Sequence, residues 1–221
     1  MKNRVESPMR RLLHFGVAAI LALAFSGCGG GGGDSRTIFV AEIVSDQPAD
    51  GDIAFDPVLR SFTITNGLDT LFFGIDDNDP NFPGYRAFLD FPLDGSTGQD
   101  VVPANAAIVS ATLEVFVTEV SFATRIPTLL DLVEYPVTGL RAQDFSSPPL
   151  TFRSLDFFLA DRGNYIAIDV TPLMREAQRL RLSDFQVRFQ VDFSLTDFGF
   201  IGLDDRPTVT LTAPLLTVEY N

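Results

Sequence analysis

The sequence predicts an all-β protein: a jelly-roll-like β-sandwich with one short helix, preceded by a signal peptide and a flexible glycine tether. Three observations carry that expectation. Apolar residues recur with period two or in short continuous runs bounded by turn residues, the pattern of half-buried and fully buried strands. Phenylalanine is abundant at 21 residues while tryptophan is absent, and 14 prolines and 17 glycines are spread along the chain, a distribution that favours strands and turns. Only one segment has helical spacing.

Taken in order, residues 37–44, 59–65, 70–75 and 85–91 read as strands, with a turn cluster over 47–52 and a hairpin signal at Asn66 and Gly67. Phe72 and Phe73 are adjacent, so a regular strand points them to opposite faces. Residues 108–120 form the clearest strand. There Ala111, Leu113, Val115 and Val117 alternate with Thr112, Glu114, Phe116 and Thr118, one apolar face against a mixed one. Residues 129–135, 165–170, 185–193 and 215–220 complete the set. Many short strands at this spacing imply a sandwich or jelly roll. The exception follows Asp169 and Val170, where Leu173, Met174, Ala177 and Leu180 recur at helical intervals. Thr171 can cap that helix and Pro172 suits its first position.

The N-terminal stretch predicts the address. Lys2, Arg4, Arg10 and Arg11 precede an apolar run of 14 residues, 12–25, which stops at Ser26, Gly27 and Cys28. This is the layout of a secretory signal peptide, and the run is shorter than the roughly 20 apolar residues of a spanning helix. Residues 25–28 resemble the lipobox of bacterial lipoproteins, which implies that Cys28 is lipidated and becomes the new N-terminus. Gly29 follows the cysteine where enteric bacteria place aspartate to retain lipoproteins in the inner membrane, a resemblance to outer-membrane sorting. Gly29 to Gly33 is an unbroken glycine run, so residues 28–36 are expected to form a tether reaching roughly 15 Å on average. Residues 37–221 then form one domain.

Removing residues 1–27 restricts the available chemistry. It takes away His14 and Lys2, the only histidine and lysine, and the only cysteine would carry lipid. Serine triads, Schiff bases, thiol nucleophiles, zinc–thiolate sites and phosphate loops all lose a required group. Carboxylate chemistry or binding remains, and the expectation is a protein that is not an enzyme. The leader holds four of the 16 basic residues and one of the 29 acidic ones, which leaves 12 against 28 and a net charge of −16. Such a surface repels nucleic acid and anionic lipid headgroups. The expected partners are the membrane, through the lipid anchor, and envelope proteins or glycans.

The candidate sites are acidic. Asp76, Asp77, Asn78 and Asp79 are the densest run of oxygen donors; they read either as a solvated turn or as part of a calcium site, since calcium takes six to eight oxygen ligands in irregular geometry. Asp204 and Asp205 form a second acidic pair. Arg86 opens a strand and is expected to pair with a carboxylate, Asp169 being one candidate, or else to stand alone at the surface. Tyr85, Tyr135, Tyr165 and Tyr220, the only tyrosines, fall in or beside strands, where half-buried packing is the usual fate.

In order, these segments also resemble the extracellular sandwich modules called DNRLRE domains, related to a carbohydrate-binding module family. The matching residues are Gly74; Arg86, Leu89, Phe91 and Leu93; Pro103, Ala106, Ile108, Ser110, Ala111, Thr112, Leu113, Val115 and Val117; and the entry into the helix at Asp169, Val170 and Thr171. The resemblance spans residues 50–220. It implies a β-sandwich with a role at the cell envelope, either structural or in carbohydrate binding, with a calcium-dependent adhesin overlapping both.

Overall fold

A computed structural model describes residues 37–195, 199–206 and 212–221. The chain divides into Met1–Arg36 and a compact unit, Thr37–Asn221; the expected leader, Cys28 and the tether lie in the first and outside the described residues. Along the second run β1 (Phe39–Val44), β2 (Gly51–Asp56), β3 (Ser61–Asn66), β4 (Thr70–Ile75), β5 (Gly84–Pro92), β6 (Ile108–Ser121), β7 (Arg125–Val133), β8 (Thr151–Phe158), β9 (Tyr165–Asp169), helix α1 (Thr171–Leu180), β10 (Asp184–Val191), β11 (Gly199–Asp204) and β12 (Leu215–Tyr220). Two 3-10 turns, Ala142–Ser146 and Leu159–Asp161, complete the described elements.

The strands pair antiparallel in the order β1-β12-β6-β11-β4-β5-β10-β7-β8, with β2 joining β5 to β3 and β9 lying on β6. β6 is the seam. Its first half sits between β12 and β9, and its second half pairs with β11, so one long strand carries the sheet over onto itself. The result is the all-β, sandwich-like fold the pattern predicts.

The alternation in β6 places Ala111, Leu113, Val115 and Val117 inside, against Leu71 and Phe73 of β4, Leu89 and Phe91 of β5, and Val187 and Phe189 of β10. Each fully buried side chain of this size contributes about 1.5–3 kcal/mol by leaving water. Phe73, Phe157 and Phe189 meet ring to ring within 5.4–6.3 Å. α1 adds Leu173, Met174 and Ala177 to the same core. A smaller cluster of Ile53, Phe88, Val133, Tyr135 and Leu140 forms separately; Phe88 alternates with Ala87 and Leu89 and so lies on the other face of β5.

Three strands escape the periodicity reading: β2, β8 and β11. β2 begins in the segment read as a turn because Gly51 and Asp52 look like loop residues. Asp52 nevertheless sits buried in the sheet, its carboxylate accepting hydrogen bonds from the Thr65 hydroxyl and from Phe72 N at 3.1 Å. Burial raises its pKa, while these two bonds work against the shift. Asn66 and Gly67 do not form a hairpin turn, since β3 pairs with β2 and not with β4. Instead Gly67 N donates to Asp50 O and the Asn66 side chain accepts from Leu140 N. Thr171 does not cap the helix either. It is the first helical residue, its N bonds Asp169 Oδ1, and its hydroxyl receives Ala111 N of β6 at 2.9 Å.

Gly74 has φ +107, and a Cβ there would lie 2.0 Å from Gly199 O on the neighbouring strand. Gly74→Ala is therefore expected to cost about 3 kcal/mol, combining backbone strain with forced separation of β4 from β11. Urea denaturation measures it, and a loss under about 1 kcal/mol would show that the strands can part cheaply.

Candidate functional site

The acidic loop after β4 organises its own backbone. Asp76 Oδ1 accepts Asn78 N at 2.9 Å and Asp79 Oδ1 accepts Asn81 N at 2.8 Å, while Asp77 and Asn78 point to solvent. The Asn81 amide reaches across to Asp56 Oδ2 at 2.8 Å. Asx turns of this kind satisfy the chain locally. Among the described residues no group of three or more His, Cys, Asp or Glu stands ready to hold a metal ion.

Arg86 and Asp169 are not brought together. Asp169 lies 3.6 Å from Arg153. Arg86 turns to the connection between β7 and β8, stacking over the Phe145 ring at 4.1 Å and donating to Phe145 O. Burial and the neighbouring Arg188 guanidinium lower its pKa to about 10. Arg188, which the sequence reading passed over, occupies the centre of this region. It faces Asp131 across β10 and β7 and binds Asp131 Oδ2 at 2.6 Å, with both residues buried. Its Nη1 also donates to Asp144 O, Phe145 O and Ser147 O at 2.9–3.2 Å. The two arginines thus hold the Ala142–Ser146 turn over the outer face of the sheet.

The other concentration of charge gathers Asp50, Asp90 and Asp205, with Ser45 and Tyr135. Asp50 ends the β1–β2 connection, Asp90 lies in β5, Asp205 follows β11 and Tyr135 follows β7. Asp50 Oδ1 accepts Asp90 N at 2.6 Å and Asp205 Oδ1 accepts the Ser45 hydroxyl at 3.0 Å. Burial, with the Asp205 charge second, pushes Asp50 well above the usual carboxylate range. Burial also raises Asp90 to about 7, with the facing Gln186 amide working against it, and raises Asp205 to about 7. The Tyr135 hydroxyl is pushed up by burial and then by the charges of Asp50, Asp90, Asp205 and Asp184. Of this group the sequence singled out only Asp205 and Tyr135. The adjacent Asp204 is buried and bound by Arg206, whose Nε lies 3.0 Å from Asp204 Oδ1.

Beside this group a groove of about 270 Å³ is lined by Glu134, Tyr135, Asp184 and Gln186. A second, more apolar groove of about 330 Å³ lies between α1 and the residues after β5, lined by Leu93, Val102, Pro103, Met174 and Leu182. The tyrosines do not share a platform. Tyr135 is buried, Tyr165 is exposed and sits 5.0 Å from the Phe116 ring, Tyr220 stacks on Phe39, and Tyr85 joins Phe72 and Phe200. Phe72 thus packs on the face opposite Phe73, as the strand period requires. Among the described residues no helix is long and apolar enough to cross a membrane. No protein-family model matches the chain, and no curated protein matches it.

Proposed function

We propose that this chain is an exported lipoprotein, anchored to the outer membrane through lipid on Cys28, whose sandwich is a non-catalytic module that contacts envelope proteins or matrix. The observation that carries the reading is the order of residues 2–36: a basic segment, a short apolar run, one cysteine and a glycine run. The start of the domain supports it. Ile38, Phe39 and Val40 are exposed where the tether would end, and Tyr220, stacked on Phe39, reaches Val101 O, next to another exposed apolar side chain. A chain without histidine or lysine after its leader, whose Asp50, Asp90 and Asp205 carboxylates are covered, supports binding over catalysis.

Expression in a diderm bacterium followed by mass spectrometry of the N-terminal peptide tests the anchor. The expected result is a peptide beginning at Cys28 with diacylglyceryl mass. Cys28→Ser is expected to move the protein from the detergent phase to the aqueous phase. Cleavage without lipid in the parent chain would replace the anchored reading with a freely secreted one.

A carbohydrate-binding role is the second reading, supported by one local feature. Phe122, directly after β6, has φ 68, a rare backbone conformation for a bulky side chain, and remains exposed beside the stacked Phe72 and Phe200 rings. Aromatic faces held this way can stack on sugar rings. Retardation in gels containing soluble glycans, lost in Phe122→Ala, would favour this reading over a protein partner.

A further inference from the structure

Asp50, Asp90 and Asp205 come from three separate stretches of chain and are each at most 1% exposed. Asp50 Oδ2, both Asp90 carboxylate oxygens and Asp205 Oδ2 receive no hydrogen bond from any protein donor among the described residues, and the buried Tyr135 hydroxyl has no partner either. No cation among the described residues offsets them: the charges acting on the three carboxylates are all acidic, and Arg206 is taken up by Asp204. Burying ionised groups without compensation costs several kcal/mol each.

The arrangement is nevertheless held firmly. Asp46 N donates to Asp90 O at 2.8 Å, Asp50 N to Asp46 O at 3.1 Å and Asp205 N to Asp69 O at 2.9 Å. The Gln47 amide adds a bond to Asp205 O at 2.9 Å. Asp50 and Asp205 each have one oxygen fixed by a protein donor, while the other oxygen has no such donor and the two carboxyl groups lie within reach of each other. A pair of carboxylates used by half, with a third carboxylate and a phenolic oxygen beside them, is a set of hard oxygen donors short of a positive charge. Calcium accepts six to eight oxygens in irregular geometry and completes its shell with carbonyl and water oxygens. A third carboxylate already at ligand distance, which this cluster lacks, is therefore not required.

We propose that Asp50 and Asp205, with Asp90, Ser45 and Tyr135 around them, form a buried site for a hard divalent cation of the calcium class, which ties the β1–β2 connection to β5 and to the end of β11. The site is distinct from the exposed 76–79 loop and independent of the lipid anchor.

The test is thermal unfolding of the full-length chain at pH 8, first in chelator and then with calcium chloride, together with the calcium retained after gel filtration. At a hundredfold excess over Kd the expected rise in midpoint is roughly 5–10 °C, with one equivalent retained. Asp50→Asn/Asp205→Asn removes the charges without removing volume. It is expected to melt above the parent chain in chelator and to ignore calcium. Asp76→Ala/Asp79→Ala is expected to keep the full response. Should the first variant fail to fold, Asp205→Asn alone with the retained-calcium measurement reads the same difference. A parent chain that ignores calcium at pH 8 would overturn the proposal and leave shared protons as the compensating charge. A response lost in Asp76→Ala/Asp79→Ala but kept in Asp50→Asn/Asp205→Asn would move the site to the loop.

Discussion

Asp131→Ala is expected to destabilise the sandwich by about 3–5 kcal/mol, the cost of leaving a buried partner charge unpaired. Arg188 is 2% exposed and lies directly opposite Asp131 in the β10–β7 register. Both its Nε, at 3.0 Å, and its Nη2, at 2.6 Å, end on Asp131 Oδ2. Without that carboxylate the guanidinium stays in place, because its Nη1 is held by three backbone carbonyls of the segment passing over it. The charge then cannot reach water. Arg188→Met/Asp131→Leu removes both charges at similar volume and is expected to recover most of the loss, since apolar replacements of buried pairs are often neutral or stabilising. Those replacements free the 142–147 backbone, so amide exchange there should accelerate while the core strands stay protected. Urea denaturation of the three proteins decides the matter. A loss below about 1 kcal/mol for Asp131→Ala would mean that water reaches the pair.

The second large effect is a fall in stability as pH rises from 4 to 8 in the presence of chelator. Asp90 and Asp205 have folded pKa values of about 7, and Asp50 is raised as well, against about 3.9 in an unfolded chain. Between those values the folded state holds protons that the unfolded state has released. Stability therefore falls with pH through this window, and the part due to Asp90 and Asp205 levels off above about pH 7. At 1.36 kcal/mol per unit, a shift of this size amounts to on the order of 4 kcal/mol for one such group. The acidic neighbours Asp46, Asp69, Asp184 and Asp204 act in the same direction, and Tyr135 stays neutral throughout. Below pH 4 the sign reverses, because Asp56, Asp94 and Asp169 are held below the ordinary range chiefly by hydrogen bonds to Leu59, Ser96 and Thr171. Maximum stability is thus expected near pH 4 to 5. Unfolding free energies at pH 4.5, 6 and 8 measure the slope, and a flat or rising profile would contradict it. Calcium is expected to flatten the upper part of the curve by replacing the protons.

The sequence by itself determined the fold class, nine of the strands and the helix. β6 announces itself through strict alternation, and the apolar stripe of α1 through helical spacing, because both patterns are read against a single buried face. β4 and β12 were legible to the residue for the same reason. Of the three strands that were not legible, β2 and β11 owe their place to partners on both sides. Asp52 is tolerated in β2 because Thr65 and Phe72 bind it. Gly199 and Gly202 belong in β11 because the side chains of Ile126 and Thr118 lie within 3 Å of where a Cβ would stand.

Charge was read least well. Arg188 and Asp131 look like ordinary outward residues of two strands until the 142–147 segment covers them. Arg86 was expected to need a carboxylate, but a ring and a carbonyl from a distant turn serve it instead. The carboxylate group was invisible because its members are 40 to 155 positions apart and two of them look like turn residues. Acidic runs such as 76–79 stand out in a sequence, yet neighbours in sequence share solvent and cap one another. Only tertiary packing removes water from residues far apart in the chain, and that removal turns Asp50, Asp90 and Asp205 from solubilising charges into a site.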